Sequence, residues 1–512
     1  MKKIFHKKIS IKKILQEKTF CYLFNALAIL MFFVLFHNGL SITGENKPNM
    51  DEFIYFKTDS LLYNICSICF SLFCLCFIGK FSEKFNTIKS RNLLLGGACL
   101  LSGAVGLYWI FAAKTGPQAD QMYLCQYASA FQNGDFSALK KGGYIARYPQ
   151  QLGMVTLLRI IFFFFGDMNY LPFQCLVAGL IPLLVLSGCQ IVRILSEYNA
   201  KAELYYLLFI LCCFPMYAYI PFVYGDMIST IFCMFSAWMY LAYLKEPSLR
   251  RLILLGCFVG LSVWLRQNCL IFLIALLIVT LIKLFFHPSS KYLVLLMALA
   301  AGCGAMQMVT WGLYHDVKSP DAAPIPAILY ITMGLNDDYQ RAGWHNQYEY
   351  NTFDMFDDNV ILAKEKGFDD LKMYLELYRN DPDYMIDFFG RKMNSQWNMP
   401  MYQSLAANNH ITGTQWTPAR ELYAYGSLTA ALESGMKLYQ LLLYGSILFF
   451  LVMGRKKYIR IETYLLLIAV FGGFVFSLIW ESKTRYVLPF LFMQIPYMAL
   501  GVNEIVAKIK KI

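Results

Sequence analysis

Residues 114–166 read KTGPQADQMYLCQYASAFQNGDFSALKKGGYIARYPQQLGMVTLLRIIFFFFG, and this stretch decides how the rest of the chain is interpreted. It follows an apolar segment, and its first acid, Asp120, comes only a few residues after that segment ends. Aromatic residues at helical spacing follow, and the motif 147–151 then leads into another apolar run. The pattern predicts a folded polar loop that leaves a membrane and returns to it.

The composition places the whole chain in a membrane. Of its 512 residues 58% are hydrophobic and only 15% are charged, and the apolar residues come in runs of about 20, the length that spans a bilayer. We therefore expect an all-α, polytopic membrane protein. The net charge of +12 is attributed to Lys and Arg in cytoplasmic loops, which help to orient the spans in the membrane. No nucleic-acid partner is therefore expected. Nearly all 15 cysteines lie in apolar runs, which predicts packing rather than disulfides.

Twelve segments are predicted to span the membrane, and one further apolar run is not. The run 150–165 carries Arg159, and an arginine costs about 2.5–3.5 kcal/mol at the centre of a bilayer. A thirteenth span would also place the two lysine-rich termini on opposite faces. We therefore expect 150–165 to lie along the outer surface. The predicted spans are 20–40, 61–79, 92–113, 171–192, 203–221, 224–244, 251–265, 268–286, 292–313, 436–453, 461–480 and 485–503.

The distribution of charge sets the expected orientation. The short loops on one side hold 25 of the 45 Lys and Arg residues, whereas the segment 314–435 holds nine against 17 Asp and Glu. By the positive-inside rule both termini are cytoplasmic and 314–435 is extracellular. The predicted organisation is a basic amphipathic lead-in (1–19), a transmembrane core (20–313) with a first external loop (114–170), a small, mainly helical extracellular lobe (314–435) and C-terminal transmembrane helices (436–512).

Two acids are candidates for chemistry at the outer surface. Asp120 lies just outside a span and before an amphipathic helix, where a carboxylate can act as a general base at the water interface. Asp226 lies in a tight external turn, TyrGlyAsp. Either it caps the following helix, or it is a second carboxylate that shares a divalent cation with Asp120 or divides acid and base roles with it.

Cations at the outer ends of later spans are candidates for binding a phosphate. Arg266 interrupts two apolar runs beside Gln and Asn, and it either snorkels to the interface or grips a phosphate. The motif 481–486, GluSerLysThrArgTyr, offers Lys483 and Arg485, although Arg485 can instead pair with Glu481. We also count Arg147 and Tyr148 of the first loop among the candidate substrate-binding residues. The three histidines of 314–435 lack the spacing of zinc ligands.

The order of these motifs resembles the GT-C superfamily of membrane glycosyltransferases, in particular the bacterial protein-mannosyltransferase and aminoarabinose-transferase branch. The similarity rests on short motifs between about 110 and 490. They are ProGlnAlaAspGln, TyrProGlnGlnLeuGly, TyrGlyAsp, LeuArgGlnAsn, IleThrMetGlyLeuAsn and GluSerLysThrArgTyr. The resemblance implies inverting transfer of a sugar from a polyprenyl-phosphate carrier to an acceptor outside the cytoplasmic membrane.

The resemblance also implies roles for individual residues. The acid of the first loop is the catalytic base in that family, which corresponds to Asp120, and the acid of the mid-chain turn, often near a cation, corresponds to Asp226. Arginines at the outer ends of later spans hold the lipid phosphate, which corresponds to Arg266 and Arg485. Many members carry Asp-Glu in the first loop, whereas this chain has Gln121 in the second position. That departure argues against a two-carboxylate metal site within this loop.

Two other functions are compatible with a polytopic membrane protein. A lipid-linked-sugar flippase or other transporter places ionisable residues near the membrane midplane and often has internal repeats, neither of which is evident here. A polysaccharide polymerase or ligase would use arginine and histidine rather than an acid in the first loop. The absence of external cysteine pairs favours a bacterial plasma membrane. For the acceptor we expect a teichoic acid or a cell-wall polysaccharide.

Overall fold

The computed structural model describes residues 2–47, 50–338, 341–408, 410–454 and 459–510. These residues are mainly helical. Ten of the described helices are long and apolar enough to cross a membrane. This agrees with the predicted all-α class and is consistent with a multi-pass membrane protein.

The chain begins with three long helices and a hairpin that the sequence did not predict. Residues 42–47 and 50–58, which lie between two predicted spans, form an antiparallel pair of strands. The second strand is rich in Phe, Ile and Tyr, residue types that favour a pleated surface. The basic lead-in continues directly into the first helix, and its side chains before residue 16 lie outside the described part. The elements are α1 (Lys2–Ser41), β1 (Ile42–Lys47), β2 (Met50–Thr58), α2 (Leu61–Phe81) and α3 (Ile88–Ala113).

The first loop contains α4 (Asp120–Gln132), α5 (Tyr144–Arg147) and α6 (Leu152–Phe165). Helix α6 has 14 residues and is therefore about 21 Å long, shorter than the roughly 30 Å hydrocarbon core of a bilayer. The chain bends by 98° between the segments Ser137–Arg147 and Pro149–Phe165. These two segments are long enough to cross a membrane only if they are counted as one span. Phe163, Phe164 and Phe165 are exposed at its end. The surface position of 150–165 stays a prediction.

The central helices depart from the predicted spans in two places. The predicted span 203–221 is broken into two helices, because Pro215 lacks the N–H that a continuous helix needs. The span 251–265 corresponds to a helix of 17 residues with short connections on both sides. The count of twelve spans therefore stays a prediction. The helices are α7 (Leu171–Leu195), α8 (Ala200–Leu211), α9 (Phe214–Ala218), α10 (Gly225–Lys245), α11 (Leu249–Leu265), α12 (Leu270–Phe286) and α13 (Ser290–Tyr314).

The polar segment 314–435 is folded against one end of the helix bundle. It is mainly helical, as predicted: one helix runs from Val360 to Asn380, and Pro382 opens another that continues to Trp397. Two small apolar clusters of its own, around Leu329 and Phe388, are separate from the main core. The remaining helices are α14 (Ala327–Gly334), α15 (Tyr348–Met355), α16 (Val360–Asn380), α17 (Pro382–Trp397), α18 (Pro418–Tyr423), α19 (Ser427–Gly454), α20 (Leu465–Ile479) and α21 (Leu488–Ile509).

The topology can be tested by labelling single cysteines in a variant that lacks the native ones. Asp167 follows α6 and Asp369 lies on α16, and both side chains are exposed. We expect a membrane-impermeant maleimide added to intact cells to label Asp167→Cys and Asp369→Cys. Arg250→Cys, in the first turn of α11, is the control and should react only after the membrane is opened. If Asp167→Cys behaves like Arg250→Cys, then 150–165 crosses the membrane.

Candidate functional site

Four segments far apart in the sequence meet at the end of the bundle that carries 314–435. Asp120 begins α4, Asp226 lies in the first turn of α10, Arg266 follows α11 and Arg485 precedes α21. The Nη2 atom of Arg485 lies 3.7 Å from Oδ2 of Asp120, and the Nε atom of Arg266 lies 3.2 Å from Oδ1 of Asp226. The structure thus brings together the two acids and the two arginines that the sequence singled out.

Tyrosine rings hold the two guanidinium groups beside each other. The Cζ atoms of Arg266 and Arg485 both lie 4.9 Å from the centre of the Tyr224 ring, and 5.3 and 5.9 Å from that of Tyr486. Such cation–π contacts stabilise desolvated guanidinium groups. The hydroxyl of Tyr224 in turn accepts a hydrogen bond from Gln151 of the YPQQ motif. The sequence reading missed both tyrosines, although both belong to the quoted motifs.

Gly225 allows Arg266 and Asp226 to approach each other. A Cβ atom on Gly225 would lie 2.2 Å from the carbonyl oxygen of Leu265, so only glycine fits where the two backbones cross. This crossing places Asp226 next to Arg266. Asp226 is only 1% exposed, and its position in the first turn of α10 also favours its negative charge. The N-cap residue of α10 is Tyr224, so Asp226 lies inside the helix rather than capping it.

Asp120 is positioned by strained backbone and by side-chain amides. Ala119 has a φ of 46°, a conformation that costs a residue with a Cβ about 1–3 kcal/mol. The amide of Gln118 donates to the carbonyls of Ala406 and Ala407. Gln121 donates to Ala407 and accepts from the backbone N–H of Val223. Gln121, the departure from the family pattern, therefore joins the first loop to the turn that carries Asp226.

The loop that carries Arg485 is fixed by α17 and the chain that follows it. The backbone N–H of Arg485 donates to Gln403 (3.1 Å), and the hydroxyl of Thr484 donates to the carbonyl of Ser395 (2.8 Å). Lys392 is fully buried in α17, and its ammonium group donates to the carbonyl of Trp480 (2.8 Å) and to the hydroxyl of Ser482 (2.9 Å). The position of Arg485 thus depends on the folded segment 314–435.

The other candidate residues have different surroundings. Arg147 is buried, and it forms ion pairs with Asp354 (2.7 Å) and Asp358 (2.6 Å), which join the first loop to α15 and the residues after it. Tyr148 is half-buried beside the site; burial raises its pKa, as do the nearby charges of Glu349 and Asp120. Lys483 is partly exposed, and its backbone N–H donates to Gln396. A phosphate-binding role for these three residues stays a prediction.

The two acids do not form a metal site. Each faces a guanidinium group, so a cation placed between Asp120 and Asp226 would meet the charges of Arg266 and Arg485. Within the described residues no three His, Cys, Asp or Glu side chains are grouped so that they could hold a metal ion. The arrangement therefore does not fit the predicted divalent cation.

The two guanidinium groups of the cluster could instead bind an anion. The Nε atom of Arg485 has no hydrogen-bond partner in the part of the chain that the structure describes, and the Nε atom of Arg266 faces Asp226 without forming a hydrogen bond to it. Asp120 lies at the mouth of the cluster with 42% of its side chain exposed. A planar guanidinium group with free N–H donors binds phosphate oxygens well. The cluster thus combines two phosphate-binding groups with an accessible carboxylate.

Comparisons with known proteins find no family model that matches the chain and no match among curated proteins. The chemistry of the site is therefore inferred from its own residues.

The link between α17 and the Arg485 loop can be tested at Lys392. Lys392→Met removes the donor shared by Trp480 and Ser482, and buried acceptors left without a partner cost about 1–3 kcal/mol each. We expect the thermal midpoint of the purified protein to fall by several degrees. Lys372→Met, on the exposed face of α16, is the matched control and should change little.

The Lys392→Met variant should also change how the stability of the protein depends on pH. Burial lowers the pKa of Lys392 to about 7, against an ordinary value of 10.5. Between these values the unfolded chain binds a proton that the folded chain does not, so stability rises with pH in this window. The wild-type midpoint should therefore rise more between pH 7 and 9 than that of Lys392→Met. Parallel pH profiles would show that burial does not lower the pKa of Lys392.

Proposed function

We propose that this protein is an inverting glycosyltransferase of the GT-C type. It transfers a sugar from a polyprenyl-phosphate donor to a hydroxyl of a cell-envelope acceptor on the outer face of the cytoplasmic membrane. The acceptor class is a wall polysaccharide or a teichoic acid. In this proposal the chain crosses the membrane twelve times with both termini in the cytoplasm, in a bacterial plasma membrane, and α6 lies along the outer surface.

The convergence of Asp120, Asp226, Arg266 and Arg485 carries the proposal. These residues come from four separate loops, and they meet where the helix bundle ends and the polar segment 314–435 begins. A polyprenyl-phosphate sugar has its tail in the lipid and its reacting carbon at the level of the headgroups. A transporter would instead place its ionisable residues near the midplane of the membrane.

The reaction assigned to the site is a single displacement at the anomeric carbon. The acceptor oxygen forms a bond to this carbon while the bond from the carbon to the phosphate oxygen breaks, and the configuration inverts. The proton of the acceptor hydroxyl passes to the carboxylate of Asp120, and the electron pair of the broken bond leaves on the polyprenyl phosphate. A positioned base of this kind contributes roughly 10²–10⁴-fold to the rate.

Arg266 and Arg485 stabilise the leaving group. Negative charge develops on the bridging oxygen of the phosphate, and preorganised cationic donors are most effective where charge develops. Arg485 has a second role in this proposal, because it lies 3.7 Å from Asp120. When the phosphate engages Arg485, the carboxylate of Asp120 is freed to accept a hydrogen bond from the acceptor hydroxyl. Binding of the donor thus prepares the base.

The role of Asp120 as base predicts a specific kinetic change. Asp120→Asn keeps the shape of the side chain but cannot take a proton, so we expect turnover to fall by about 10²-fold or more with the donor KM nearly unchanged. The assay measures release of undecaprenyl phosphate from a panel of undecaprenyl-phosphate sugars. Asp135→Asn is the control, because Asp135 is exposed and caps a turn at Ser137, a bond that Asn retains. Full turnover by Asp120→Asn would rule out Asp120 as the base.

The phosphate role of the arginines predicts a loss of donor affinity. Arg266→Ala and Arg485→Ala each remove charge-assisted hydrogen bonds worth about 1.5–3 kcal/mol, so we expect roughly 10- to 100-fold weaker binding. The probe is farnesyl phosphate, measured by calorimetry, with farnesol as the uncharged comparison. Arg485→Lys tests the same contact while leaving a cation beside Asp226 and Asp120.

The control for these variants is Arg250→Ala, which changes an exposed arginine in the first turn of α11. It should bind farnesyl phosphate as the wild type does. Equal binding by the wild type and both alanine variants would place the lipid phosphate elsewhere.

A further inference from the structure

A second carboxyl group faces the site from the polar segment and has no role so far. Glu349 lies on α15 and is only 3% exposed, yet its Oε2 atom has no hydrogen-bond partner among the described residues. The Nδ1 atom of His345 lies 4.0 Å from Oε1 of Glu349. A buried polar atom without a partner costs about 1–3 kcal/mol, so a feature of this kind calls for a ligand.

The groups around Glu349 are hydroxyls, a carboxylate and aromatic rings. The charges of Glu349 and Glu481 both act on the hydroxyl of Tyr330, whose pKa is raised mainly by burial. The ring of Tyr330 stacks on Trp480, with ring centres 5.2 Å apart and planes at 10°. Trp480 stacks in turn on Phe476, at 5.0 Å and 24°. Aromatic walls with a few convergent polar groups are typical of small-molecule sites.

This group of residues adjoins the proposed base. Tyr148 lies within electrostatic reach of both Glu349 and Asp120, since both charges raise its pKa in addition to the effect of burial. On its other side Asp120 faces Arg485, whose Nη2 atom lies 3.7 Å from Oδ2 of Asp120. Asp120 therefore stands between a cationic side, formed by Arg266 and Arg485, and a side formed by carboxyl groups and aromatic rings.

We propose that Glu349 binds the acceptor, and that the acceptor presents a neutral polyhydroxyl unit, a sugar ring or a polyol, to the unpartnered Oε2 atom of Glu349 and to the Tyr330–Trp480 ring pair. This inference rests on the proposed glycosyltransferase function. The carboxyl group of Glu349 forms hydrogen bonds with hydroxyls of this unit, while the ring pair covers its apolar face. Glu349 is a positioning residue that aims the reacting hydroxyl at Asp120.

The protonation of Glu349 favours a neutral ligand over a cationic one. The pKa of Glu349 is raised to about 7, mainly by burial; His345 opposes the shift and the charge of Glu481 adds to it. Below this pH the group is a neutral carboxyl that both donates and accepts a hydrogen bond. Above it the donor is lost. A site made for an ammonium group would instead keep its carboxylate ionised.

Acceptor binding can be measured without any donor. The probe is methyl β-D-glucopyranoside, followed by saturation-transfer NMR with the purified protein in detergent. We expect wild-type affinity to fall about tenfold or more from pH 6 to pH 8.5, because the fraction of neutral Glu349 falls. Glu349→Gln, which keeps both a donor and an acceptor, should bind equally at the two pH values. Glu349→Ala should bind at least tenfold more weakly at both.

The Gln variant separates Glu349 from the other titrating groups nearby, namely His345, Glu481, Lys392 and the tyrosines, because they remain in it. Glu365→Gln, exposed on α16, is the matched control and should follow the wild-type pH profile. Wild-type affinity in Glu349→Ala, an unchanged pH profile in Glu349→Gln, or tighter binding of ethanolamine than of the glucoside would each overturn the proposal.

Kinetic constants distinguish a failure of this proposal from a failure of the glycosyltransferase proposal. In the transfer assay Glu349→Ala should raise the KM for the acceptor and leave the KM for the donor unchanged. If the wild type releases no undecaprenyl phosphate from any donor, the glycosyltransferase proposal fails. If the wild type does release undecaprenyl phosphate, but Glu349→Ala has the same acceptor KM as the wild type, only the proposed role of Glu349 fails.

Discussion

Two buried guanidinium groups set the constraint on which the site depends. An arginine withdrawn from water must be paired, since the desolvation of an unpaired charge costs several kcal/mol. Arg266 meets this requirement with Asp226, and Arg485 with Asp120 and the ring of Tyr224. Because each partner comes from a different loop, pairing the charges also assembles the loops. The charges that a phosphate would need are thereby held in place before it arrives.

The polar segment 314–435 takes part in this assembly and does more than cover the end of the bundle. Lys392 and Gln403 hold the loop that carries Arg485, and the carbonyls of Ala406 and Ala407 hold the residues on either side of Asp120. The same segment contributes Glu349 on the far side of Asp120. The segment thus contacts the residues around Asp120 and the loop of Arg485, and it contributes a further carboxyl group.

Much of this arrangement could be predicted from the sequence, and the limits have physical causes. Asp120, Asp226, Arg266 and Arg485 were found because a charged residue at the end of an apolar run is costly and therefore conspicuous. Tyr224 and Tyr486 were missed, since a tyrosine at a membrane boundary is common and its ring contacts depend on tertiary packing.

Other features had weaker signals. Glu349 is one of 17 acids in its segment, and only folding distinguishes it by burial. The hairpin 42–58 was missed because a short strand pair between two spans leaves little periodic signal. The break at Pro215 could have been read from the sequence, since proline interrupts a helix. The divalent cation was expected from the placement of the two acids and from the family resemblance, and the two arginines take the positions beside the acids where its charge would lie.

The central claim is that Arg266 and Arg485 bind a lipid phosphate beside Asp120. A cryo-EM structure of the protein in lipid nanodiscs with undecaprenyl phosphate tests it most directly. We expect density for the phosphate within hydrogen-bond distance of both guanidinium groups, with the side chain of Asp120 turned away from Arg485 and toward Glu349. Density for the phosphate at the opposite end of the bundle, or at Arg147 with the Asp120–Arg485 pair unchanged, would contradict it.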